Sequence, residues 1–317
     1  MLLRYLHAVP AWPQLPRRSY AENMYVQFSE GLPGININPE EKHISVDPSL
    51  DLDSALEQLY TAYMENDVTR YAISPGYAAG LHACLSSRIE TPLAVKGQVT
   101  GPLSLGLSLT CGIHPVIYDE TLAEAIARHL RLKACWQERA LSQISPNTII
   151  FVDEPYMTSL GSPFVSLSSE QVVALLRETL GGISGLKGLH CCGKADWSLL
   201  LSLPIDILSF DAYNYTDALG LYPVEVKAFL EREGTIAWGI IPNDEETLAK
   251  ETVAALKDRL EEAMAPLTRD GIRFRQMIEQ GLLTPSCGLA SLSLEAAELA
   301  LELLAELSSN MRKRHLM

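Results

Sequence analysis

The sequence predicts an α/β fold of largely parallel strands, with a closed barrel favoured, on three observations. Short apolar runs, polar loops and amphipathic stretches follow one another along most of the 317 residues. Polar residues suited to chemistry fall just after the apolar runs, where a barrel carries its catalytic loops. No stretch rich in Gly, Ser or Pro divides the chain, so residues 1–317 read as one domain. An open doubly wound sheet uses the same strand ends, so the placement favours a barrel without requiring it.

The elements follow in order. Leu2, Leu3, Tyr5 and Leu6 suggest the end of a helix, which Pro10, Pro13 and Pro16 prevent from continuing. Trp12 reads as a core anchor. Residues 21–47 carry Gly31-Leu32-Pro33-Gly34 and the alternating Ile35, Ile37, Ile44 and Val46, an irregular hairpin or lid. Asp47-Pro48 offers a helix entrance, with Leu52, Ala55, Leu59 and Tyr63 as its apolar face. Val95–Val99 reads as a strand followed by a loop at Thr100-Gly101-Pro102, and Thr121-Leu122-Ala123-Glu124 as a capping box. Ile149–Val152 is a buried strand ending in Asp153-Glu154-Pro155, and Ser168–Gln171 opens the next helix. Strands are then expected at 186–191, 205–210, 236–241 and 282–284. A helix capped at Asn243–Glu246 carries Leu248, Val253, Leu256 and Leu260, and a final helix carries Leu294, Ala297, Leu301 and Leu304.

Composition narrows the function. With 39 acidic against 25 basic residues, the net charge of -14 argues against a nonspecific nucleic-acid binder. No apolar stretch is long enough for a membrane span, and the N-terminus lacks a signal-peptide core. Six cysteines in a chain of this length are not the framework of a small secreted protein, which points to a reducing, cytoplasmic setting.

Three residues carry the chemistry. His190 and Cys192 are two apart, so both side chains leave an extended segment on one side, while Cys191 turns to the core. Cys287 follows another short apolar run. Two thiolates and an imidazole suit borderline-soft Zn2+. Asp211, just past the next strand, offers an oxygen ligand or a means to orient a water. Zinc would lower the pKa of a bound thiol and ready it for alkylation, or activate water for hydrolysis. Buried free cysteines and a buried histidine are the plain alternative.

Other candidates lie at neighbouring strand ends. Asp153 is a candidate catalytic residue and the stronger candidate for holding a substrate ammonium, Glu154 is a candidate substrate-binding residue, and one of the two could assist proton transfer, with helix capping as the structural alternative. Gln98 and Thr100 could bind a polar substrate or satisfy a tight loop. His114 is a candidate catalytic residue, and Trp238 and Asn243 candidate pocket residues. No Gly-rich phosphate fingerprint stands in its strand-turn-helix setting.

Val99-Thr100-Gly101-Pro102-Leu103, Asp153-Glu154-Pro155, His190-Cys191-Cys192 and Cys287-Gly288-Leu289 occur in one order. In them the chain resembles the C-terminal catalytic domain of cobalamin-independent methionine synthase, in its short core form, within the group that includes uroporphyrinogen decarboxylases. The resemblance spans most of residues 12–308. It implies a (β/α)8 barrel and zinc held by His190, Cys192, Asp211 and Cys287, the usual carboxylate being Glu. It also implies that Asp153 holds the amino group of homocysteine, and that methyl transfer to the zinc-activated thiol yields methionine. The donor implied is methyl-folate or a methyl-corrinoid protein. No Ile-Gly-Ser-like segment precedes Trp12, so the family's usual first strand and helix are expected to be absent. A decarboxylase-like enzyme, a zinc hydrolase and a noncatalytic barrel protein are the competing readings.

Overall fold

The computed structural model describes residues 1–163 and 165–316. In chain order the helices and strands are α1 (Leu2–Tyr5), α2 (Met24–Gln27), β1 (Ile35–Asn38), β2 (His43–Val46), α3 (Leu52–Glu65), α4 (Ala79–Ser86), β3 (Val95–Thr100), α5 (Pro102–Ser108), β4 (Thr110–Cys111), β5 (His114–Pro115), α6 (Glu120–Leu141), β6 (Thr148–Asp153) and α7 (Ser169–Leu180). They continue with β7 (Leu186–Cys191), α8 (Trp197–Leu201), β8 (Ile207–Phe210), α9 (Pro223–Glu231), β9 (Thr235–Ile241), α10 (Glu245–Leu248), α11 (Val253–Arg269), α12 (Phe274–Glu279), β10 (Gly281–Pro285) and α13 (Leu294–His315). Internal contacts group the chain into two units, Ala8–Lys187 and Met1–His7 with Gly188–Met317.

In the first unit β3 and β6 pair in parallel, Val95 against Thr148 through Thr100 against Asp153. A smaller mixed sheet runs β1-β2-β4-β5, with β1 and β2 an antiparallel hairpin. Ala11 makes a single parallel bridge to Lys96, and the Lys96 N–H donates to Pro10 O at 2.8 Å. A strand next to β3 is thus present as a one-residue remnant. Pro10 and Pro13 lack the N–H groups a longer ladder needs. Trp12 is buried, and its Nε1 donates to Gln137 Oε1 at 3.0 Å. Leu59, Ala62, Val68, Tyr71, Ala125 and Leu132 form a satellite core where α3 meets α6.

In the second unit β7, β8, β9 and β10 form a parallel ladder. All four residues of β8 and the last six of β9 are buried, the near-continuous apolar run expected of strands covered on both faces. The fold is therefore α/β and like part of a (β/α) barrel. Among the described residues the core parallel strands number six, where a closed barrel has eight.

Several boundaries move, each for a local reason. The helix expected from Asp47-Pro48 begins at Leu52, because Asp47 Oδ1 instead accepts from the backbone and hydroxyl of Ser49. Asp119, not Thr121, caps α6, through the Leu122 N–H. The Gly101-Pro102 loop is the start of α5, with Pro102 in its first turn. The single helix expected after Asn243 is two: Asp244 caps α10, and Thr252 caps α11. The capping box at Ser168 and Gln171 forms as the sequence suggests.

Candidate metal centre

Strand register sorts the second unit's side chains into two rows. His190 stands beside Ser209, and Ser209 beside Ala237. Cys191 stands beside Phe210, and Phe210 beside Trp238. Successive residues face opposite sides of a strand, so these rows belong to opposite faces. The second row is core: Phe210 lies edge-on to both Trp197 and Trp238, with ring centroids 5.6 Å apart in each pair. Cys191 and Trp238 are fully buried there. The candidate pocket residue Trp238 is thus on the face away from His190.

Cys287 arrives from β10. The Ser286 N–H donates to Ile241 O at 2.8 Å, and the Ser286 hydroxyl to Asn243 Oδ1 at 3.2 Å. Asn243 also accepts from the Ser291 hydroxyl through its backbone oxygen at 3.2 Å, so it positions the segment that carries Cys287. The ladder slips between Thr284 and Pro285, turning the chain out of β10. Gly239 is required for this approach, since a Cβ there would lie 2.4 Å from Phe210 O and 2.9 Å from the Ser286 Cα.

One ligand atom from each of His190, Cys192 and Cys287 lies within 4.8 Å of the others, and all three residues are half-buried. Tetrahedral bonds of about 2.3 Å would set two thiolate sulfurs about 3.8 Å apart, so the spacing fits one ion. The cluster can hold a metal. The thiols already interact: hydrogen bonding to Cys287 lowers the Cys192 pKa, and the same contact pushes Cys287 up to about 12. His190 Nδ1 lies 3.0 Å from Ser209 Oγ, a partner that the sequence reading missed. Its only signal was position, one residue before the end of the strand that follows the His-x-Cys pair.

Asp211 is not part of this cluster. Its Oδ1 accepts from the Asn214 N–H at 2.9 Å and its Oδ2 from the Asn214 side-chain amide at 2.7 Å. Burial raises its pKa against those bonds.

In the first unit the candidates divide. Glu154 is fully buried at the end of β6. Its Oε1 accepts from the Leu103 N–H, and its Oε2 from the Ser104 N–H, both at 2.9 Å, and from the Ser104 hydroxyl at 2.6 Å. It therefore caps α5 from 51 residues away, satisfying donors that Gly101 cannot. Burial pushes its pKa up to about 7 in spite of these bonds. Thr100 is also committed, its hydroxyl donating to Met24 O at 2.6 Å. Gln98 accepts from Lys96 Nζ at 3.0 Å. Asp153 is partly exposed, and His114 is exposed in the two-residue strand β5.

No family model matches the chain. No curated protein matches it either. Among solved structures, a Listeria monocytogenes protein named, provisionally, as a vitamin-B12 independent methionine synthase is similar, with a TM-score of 0.50 and 19% identity. The match covers 71% of this chain and 65% of that one, so the chain spans less than two thirds of that protein's length. At this identity the similarity concerns the fold.

Proposed function

We propose that the chain is a zinc-dependent methyltransferase whose acceptor is a thiol, with homocysteine the favoured substrate and methionine the product. The observation that carries this reading is the convergence of His190, Cys192 and Cys287 on one point. Two sulfurs and one imidazole nitrogen match zinc better than a hard cation, and three protein ligands leave a fourth position for a substrate. The fold similarity to a protein named as a methionine synthase supports the same direction.

A bound zinc would supply the Lewis acidity that keeps an incoming thiol deprotonated at neutral pH. The chain's own part is to hold three donors in place and to leave the fourth direction clear. Asn214 donates to both oxygens of Asp211, and we assign Asp211 to the wall of the site. In the proposed reaction the substrate sulfur forms a bond to the methyl carbon. The bond between that carbon and the donor breaks, and its electron pair leaves with the donor. The donor is methyl-folate or a methyl-corrinoid protein.

The test is a transfer assay with homocysteine and each donor, run with metal analysis of protein purified without added zinc. About one zinc per chain and methionine from one donor are expected. Zinc-free protein that is fully active would overturn the proposal.

A further inference from the structure

The hydroxyl of Ser209 is a polar group placed against His190 from the neighbouring strand, and its role rests on the metal reading above. We infer that Ser209 is a positioning residue that selects the His190 tautomer, accepting a hydrogen bond from Nδ1–H so that Nε2 is the metal-binding nitrogen. Parallel pairing of β7 with β8 sets His190 and Ser209 side by side on the same face. Their Nδ1 and Oγ atoms are 3.0 Å apart, and Ser209 is buried, at 6% exposure, so water competes little for the contact.

A neutral imidazole carries one ring proton, and the nitrogen that gives its lone pair to a metal cannot carry it. With Nδ1 committed to Ser209, the proton belongs there and the lone pair belongs to Nε2. A hydroxyl suits this job because it accepts without adding charge. The two cysteines then bring the only formal negative charges among the three ligands, and zinc keeps its capacity to bind an incoming thiol. The hydrogen bond also fixes the ring plane, which otherwise turns freely about its bond to Cβ.

The experiment compares wild type, Ser209→Ala and Ser209→Thr, each stripped of metal and titrated with zinc against a chromophoric chelator. Thermal unfolding of the metal-free forms runs alongside as the control for folding. Ser209→Ala should bind zinc about 10- to 100-fold more weakly, and Ser209→Thr, which keeps the hydroxyl, should stay within about threefold of wild type. The nitrogen chemical shifts of His190 in zinc-loaded wild type should show a proton on Nδ1, a signature that a purely structural serine would not set. Wild-type affinity in a folded Ser209→Ala, or a proton on Nε2, would overturn the inference. Wild-type protein that binds no zinc would instead sink the metal reading on which it stands.

Discussion

Two strand ends in this molecule carry chemistry-bearing residues in the sequence, and the fold treats them in opposite ways. At the end of β6, Glu154 is buried and takes three hydrogen bonds from the first turn of α5. At the end of β7, His190 and Cys192 meet Cys287, and the two thiols lean on each other. The first carboxylate is engaged by two backbone donors and a hydroxyl, so its chemistry is consumed in holding the fold. The second set gathers soft donors around a single point, which is what an ion needs and a helix does not. The comparison shows that burial and residue type together do not mark a site. What marks it is whether protein groups already satisfy the atoms.

The largest effect is expected at the cluster. Cys287→Ala should abolish stoichiometric zinc binding, a loss well beyond the about 100-fold expected from an outer partner. Metal analysis after dialysis would show this, and full zinc retention would remove Cys287 from the ligand set.

The reverse case is Glu154→Ala, expected to cost about 3 kcal/mol of stability, because two N–H groups and a hydroxyl lose their buried acceptor. Denaturant unfolding measures it, and a change below about 0.5 kcal/mol would reject the capping role. Its pH dependence follows in sign. The folded pKa of about 7 lies above the ordinary 4.5, so the unfolded chain loses this proton first as pH rises. This group's contribution is full below pH 4.5, falls between 4.5 and 7, and is flat above, a total of about 3 kcal/mol. Comparing wild type with Glu154→Gln across that window should isolate the slope, and identical pH profiles would contradict it.

The smallest expected effect is at Asp153, which shares its strand end with Glu154 but is partly exposed. We expect Asp153→Asn to bind homocysteine about tenfold more weakly, about 1.4 kcal/mol, with zinc content unchanged. Calorimetry would decide it, and equal affinities would assign Asp153 to the scaffold.

Local signals were the legible part of the sequence. The Ser168–Gln171 box formed because both partners lie within one turn. The His190 and Cys192 pairing followed from strand alternation alone, as did the burial of Cys191. Competition between nearby capping groups was not legible, since Asp119 takes the helix that Thr121 was expected to start. Long-range partners were hidden as well. The cap of α5 comes from Glu154, and the companion of His190 is known only once β7 and β8 are in register. Beside β3 a strand is reduced to one bridge at Ala11, where flanking prolines withhold their donors.

Cys192 and Cys287 lie 95 positions apart (287 − 192), and β8 and β9 fall wholly between them. An ion gripped at both places would bolt the first strand of that ladder to the last. Its free concentration then becomes a thermodynamic load on unfolding, worth about 2.7 kcal/mol when it stands at 100 times its dissociation constant. The chain's melting temperature would become a gauge of how much metal its surroundings supply.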